Sequence, residues 1–140
     1  MAIIVGVVLA LAVSALARLA GFDRDRAFYP TLLVVVASYY VLFAVMSSSP
    51  DALRVESMVM TGFVVAAGIG FRFNLWLVVV ALAAHGLFDL VHARWVTNPG
   101  VPAWWPPFCL AYDVVAAGCL AWVLKRSTSS RGGTPRRLAA

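Results

Sequence analysis

The sequence predicts an all-α fold, a polytopic transmembrane helical bundle of about five spans, and composition, run length and charge placement predict it together. Hydrophobic residues make up 63% of the 140-residue chain and charged residues 12%, against roughly half and a quarter in soluble domains. Mean hydropathy is +0.91. The apolar residues gather in runs of about 17 to 22, long enough to cross a hydrocarbon core about 30 Å thick. The basic residues fall between those runs or, as Arg54 and Arg94, near their ends. A soluble globule, a disordered chain, a coiled coil, a disulfide scaffold and a soluble dinucleotide-binding fold are excluded together.

The bundle occupies residues 1–124, with spans at about 2–17, 30–46, 50–71, 75–95 and 106–124. The first run ends in Ala15-Leu16-Ala17, which resembles a signal-peptidase site. No Lys or Arg precedes it, however, and the first positive charge, Arg18, follows it. That is the arrangement of a retained span with an exported amino terminus. The polar stretch Phe22 to Arg26 leads to the second span, with Pro30 tolerable in a first helical turn. Ser47-Ser48-Ser49-Pro50 breaks that span, and Ser49 caps the third with Pro50 at its first position. Gly62, Ala66 and Gly70 repeat every four residues along the third span, a small-residue stripe suited to close helix packing.

A turn near Arg72-Phe73-Asn74 precedes the fourth span, and Val96 to Trp105, with its prolines and glycine, reads as a loop. Pro106-Pro107 opens the fifth span. Residues 125–140 are basic and rich in Ser and Gly, and are expected to form a disordered cytoplasmic tail. With the amino terminus outside and the carboxyl terminus inside, nine of the eleven Lys and Arg residues fall on the cytoplasmic side, leaving only Arg54 and Arg94 outside. Trp95, Trp104 and Trp105 then form an outer interfacial anchor. The net charge of +5 is thus topological: anionic lipid headgroups are the expected partners of the tail, and no motif supports nucleic-acid binding.

Of six acidic residues, Asp23, Asp25 and Asp51 sit in turns or at a helix start, whereas Glu56, Asp89 and Asp113 lie inside spans. Each of these three is about 9 to 11 Å from the outer end of its helix at about 1.5 Å per residue. His85, Asp89 and His92 are spaced i, i+4, i+7 and fall within an arc of roughly 60° on one helix face. The short fourth-to-fifth connection makes those helices antiparallel neighbours, so Asp113 can face Asp89, with Cys109 one turn away on the same side. Cys109 and Cys119 are about 15 Å apart along one helix and cannot pair with each other.

Three uncompensated carboxylates in a bilayer would cost about 10 kcal/mol, at about 2.5–3.5 each. The span interiors hold no Lys or Arg to offset this. A divalent transition metal would. Nitrogen and oxygen donors suit zinc, iron or manganese, with His85, Asp89, His92 and Asp113 as ligands and Glu56 as catalytic general base or further ligand. The plain alternative is that these groups only hydrogen-bond helices together, that each histidine is a packed side chain, and that Cys109 is a small buried hydrophobe. Tyr39 and Tyr40 read as interfacial or packed aromatics, and Asn98-Pro99-Gly100 first as a turn and second as a lid.

Glu56, the segment His85-Gly86-Leu87-Phe88-Asp89-Leu90-Val91-His92 followed by Asn98-Pro99, and Cys109 with Asp113 resemble an uncharacterised family of small bacterial multi-span membrane proteins. The resemblance covers roughly residues 50 to 120. It implies a bacterial inner membrane and ties Glu56 to the histidine motif. It implies no activity, since the family has no assigned one. Trp104-Trp105-Pro106-Pro107 departs from the family's less aromatic loop. A weaker likeness is to membrane hydrolases of the alkaline ceramidase type, whose span count and spacing differ. The expected functions are a metal-dependent hydrolase or oxidase of a lipid-like substrate, or else a non-catalytic subunit of a larger membrane complex. A proton or cation pathway fits less well, because the polar groups fill one leaflet only and five spans give no even inverted repeat.

Overall fold

Each helix boundary has a local cause. The structure, a computed structural model, describes the backbone of residues 1–131 and the side chains of residues 1–127. Helix α1 (Ala2–Ala20) ends at Gly21, whose φ of 80° lets its N–H close on the Ala17 and Arg18 carbonyls. A 3-10 turn at Phe22–Arg24 leads into α2 (Phe28–Met46). This helix starts two residues before the expected boundary, so Pro30 stands within the first turn, where its missing N–H costs no intrahelical bond. Helix α3 (Pro50–Arg72) opens as expected on Pro50, with Ser49 Oγ accepting from the Ala52 N–H at 3.4 Å. Asn74, read from the sequence as turn only, caps α4 (Leu75–Trp95) by accepting the Trp76 N–H at 3.0 Å.

Helix α5 (Trp105–Arg131) runs past the expected end at Leu124. Residues 125–131, expected in the disordered tail, continue the helix instead. No Gly or Pro occurs between Leu124 and Gly132, so nothing in the backbone ends the helix at Leu124. The rest of the expected tail, residues 132–140, lies outside the described residues.

All five helices are long and apolar enough to cross a membrane. Helix α5 packs most extensively on α4 and α1, α2 packs on α3, and α4 also meets α3 and, over a shorter stretch, α2. Leu33, Val78, Leu82 and Leu120 fill the centre, while Ile4, Leu19, Val80 and Leu90 point outward, the distribution of a bundle solvated by hydrocarbon. At the end holding the α1–α2 and α3–α4 turns, the Arg26 guanidinium donates to the Phe71 carbonyl at 3.1 Å, and Arg18 and Arg126 both lie over the Trp122 ring.

Glycines decide where helices approach. A Cβ on Gly6 would collide with the Phe108 carbonyl and lie 3.1 Å from Ala111 Cβ, so Gly6 sets the α1–α5 contact. Of the expected packing stripe, Gly70 is pressed on Val78, but Gly62 faces open space. The stripe is used within the chain at its Gly70 end. Gly6→Leu should destabilise the bundle by about 1–3 kcal/mol through overpacking. Thermal unfolding in detergent reads this as a Tm several degrees lower, with Gly62→Leu leaving Tm unchanged.

Candidate metal centre

The polar residues gather at the bundle end that carries the α2–α3 and α4–α5 connections. The i, i+4, i+7 pattern of α4 turns His85, Asp89 and His92 inward, and all three are buried. Helix α5 contributes Cys109 and Asp113, one turn apart, and α3 contributes Glu56; these too are buried. Gly86 lets α4 and α5 come this close: a Cβ there would lie 3.1 Å from the Leu110 carbonyl oxygen and 3.2 Å from Asp113 Cβ.

Four side chains form one group. Ligand atoms of His85, Asp89, Cys109 and Asp113 all lie within 4.8 Å of one another. His85 Nδ1 and Asp113 Oδ2 share a hydrogen bond of 2.6 Å, and the Cys109 thiol donates to the same oxygen at 3.6 Å. The Phe63 ring meets the His85 imidazole edge-on at 4.7 Å. Donors around a tetrahedral ion bound at about 2.0–2.3 Å stand roughly 3.3–3.8 Å apart. The group therefore brackets the required spacing, and the His85–Asp113 pair must open by somewhat under an ångström and give up its shared proton to bind an ion.

His92 lies outside that group. Its Nε2 hydrogen-bonds Glu56 Oε1 at 2.8 Å, and the Asn98 amide donates to the same oxygen at 2.8 Å and to the Tyr40 carbonyl at 3.0 Å. Tyr40 joins the two groups: its hydroxyl donates to Asp89 Oδ1 at 2.6 Å and its ring lies tilted against His92, with centroids 4.2 Å apart. The loop after α4 thus lies against the Glu56 side of the site. It is seated there by Gly100, where any Cβ would collide with the Phe43 carbonyl.

Glu56 Oε2, Asp89 Oδ2 and Asp113 Oδ1 are buried with no hydrogen-bond partner among the described residues. Each such group costs on the order of 1–3 kcal/mol, more if charged. The ion pairs of Arg18 and Arg54 go to Asp23 and Asp51, so they do not offset these acids. The arrangement is a site short of positive charge, with nitrogen, oxygen and sulfur donors around it.

The structure brings together His85, Asp89 and Asp113 from the sequence-based ligand set and pairs its fourth member, His92, with Glu56. Cys109, outside that set and one turn from Asp113, takes the fourth place in the group. Tyr40, read from the sequence as an interfacial or packed aromatic, joins the site by hydrogen-bonding Asp89. Tyr40 did carry a signal, since it stands six residues before the end of α2, at about the 9 Å depth of the acids. Asn98 carries one in its second reading as a lid over the site and in its place in the family motif, and its bonds to Glu56 and Tyr40 agree with that reading. The chain matches no family model, no curated protein and no solved structure.

Asn98→Ala removes two donors from buried acceptors and should cost about 1–3 kcal/mol. Loss of protection of the 96–104 loop in hydrogen exchange, with α1 unaffected, is the expected outcome; uniform loss over the bundle would contradict a local latch.

Proposed function

We propose that this protein sits in a bacterial inner membrane, amino terminus out and carboxyl terminus in, and holds one divalent transition metal in the outer half of its bundle. There it acts on a lipid-like substrate by metal-dependent hydrolysis or oxidation. The observation that carries this reading is the convergence of His85, Asp89, Cys109 and Asp113 donors within 4.8 Å in a buried site. Unpaired carboxylate oxygens beside them support it. The thiol favours zinc or iron over manganese, since soft sulfur suits the former.

The bound ion would supply Lewis-acid activation of a water or a substrate oxygen. The chain's own residues do the rest. Tyr40 fixes Asp89 through its hydroxyl, and the Phe63 ring packs edge-on against the His85 imidazole. Glu56, paired through Oε1 with His92 and Asn98, keeps Oε2 free to accept a proton as general base. Nine of the eleven basic residues lie at the opposite end or in the tail, which supports the stated orientation.

A second reading, a non-catalytic subunit of a larger membrane complex, is favoured by the outer end of the α3 stripe, where a Cβ on Gly62 would meet nothing within 4 Å. Such a surface suits a helix of another chain. Co-purification at fixed stoichiometry with a larger assembly, undisturbed by His85→Ala and Asp113→Asn, would support it over the enzyme.

Elemental analysis of the detergent-purified protein decides the metal. About one zinc or iron per chain is expected, falling roughly tenfold or more in His85→Ala and in Asp113→Asn, because losing one ligand of four removes most of the affinity. No stoichiometric metal as purified, and none regained on incubation with zinc or iron, would overturn the proposal.

A further inference from the structure

A cleft of about 190 Å³ lies between α1 and α5 at the bundle end opposite the candidate metal centre, lined by Leu11, Ser14, Ala15, Arg18, Tyr29 and Trp122 among others. It is graded along its length. At its mouth, near the end of α1, the guanidinium carbons of Arg18 and Arg126 lie 4.5 and 3.9 Å from the centroid of the Trp122 ring. They are thus no farther apart than those two distances laid end to end, about 8.4 Å. One turn deeper on α1, about 6 Å along the axis, stands Ser14, and beyond it Leu11.

Charge says what would enter. Two guanidiniums this close repel each other unless an anion lies beside them. Asp23 supplies one negative charge, 4.0 Å from Arg18. The rest of this end adds to the excess: among the described side chains it carries Arg18, Arg24, Arg26, Arg72, Lys125 and Arg126 against Asp23 and Asp25. A phosphorus atom stands about 4 Å from the carbon of a guanidinium that donates to its oxygens, so one phosphate can serve two such carbons about 8 Å apart. The polar layer of a bilayer is about 5–8 Å deep on each side. With a phosphate at Arg18, the ester oxygens of a phospholipid therefore come to the level of Ser14 and its chains to that of Leu11. A helix of another chain would have to bring an acid to the level of Arg18, whereas a phospholipid has its phosphate there already.

We infer that this cleft binds one anionic glycerophospholipid, its phosphate held by Arg18 and Arg126, its ester region beside Ser14 and an acyl chain against Leu11. The second guanidinium selects for an anionic lipid: Asp23 balances only one of the two, and a zwitterionic headgroup would bring in a further cation. Binding here needs no metal and stands apart from the proposed centre.

Native mass spectrometry of the delipidated full chain in detergent tests the site, with dioleoyl phosphatidylglycerol and dioleoyl phosphatidylcholine as probes. The first phosphatidylglycerol should bind roughly tenfold more tightly than the first phosphatidylcholine. Arg18→Gln and Arg126→Gln should each weaken it roughly fivefold, the value of one basic residue near an anionic headgroup. Ala15→Trp, at an exposed position on the cleft wall, should block it. Arg24→Gln, exposed at the same end but outside the cleft, should change it less than about twofold. Equal affinity for the two lipids, or as large a loss in Arg24→Gln as in Arg18→Gln, would overturn the inference in favour of diffuse surface charge. A two-chain species that Ala15→Trp dissociates, with no lipid bound, would overturn it in favour of a helix of a second copy.

Discussion

The contact of α4 with α5 at Gly86 places His85 against Asp113 at 2.6 Å in the interior of a bundle that supplies no Lys or Arg there. Two helices that close bury a carboxylate and an imidazole together. In hydrocarbon neither can turn to bulk water, so each must be answered by a neighbour. Cys109 answers from the next turn of α5, and Tyr40 answers Asp89 from α2. Glu56 and His92 answer each other across α3 and α4, with Asn98 closing over them from the loop. Bundle geometry at this end is thus dictated by polar satisfaction, whereas the opposite half is ordinary packing of Leu33, Val78, Leu82 and Leu120.

Satisfaction stops short of completion. Three buried carboxylate oxygens and one indole N–H have no partner among the described residues. Asp89 and Asp113 lie within the four-donor group, whereas the indole is enclosed by the rings of Tyr39, Phe43, Trp104 and Phe108.

Spans were legible in the sequence because hydropathy over about 20 residues is a strong signal. The Ser49–Pro50 start of α3 was legible for a local reason, a cap followed by a fixed φ. The end of α5 was not: polar Lys125 and Arg126 read as tail, yet a helix needs only an unbroken backbone to continue. In the site, the α4 face followed from its spacing. Whether His92 or Cys109 completes a group with His85 depends on the depth and rotation of α5 against α4, and those are set by Gly86 and by the loop, which no periodicity reports. The stripe through Gly62 and Gly70 shows the same limit, since spacing marks a small-residue face without saying what covers it.

X-ray absorption at the metal edge of the purified, metal-loaded protein tests the centre most directly. The account predicts one sulfur scatterer at about 2.3 Å with nitrogen and oxygen scatterers at about 2.0–2.2 Å, the sulfur shell disappearing in Cys109→Ser. A first shell of nitrogen and oxygen alone, unchanged by Cys109→Ser, would contradict it.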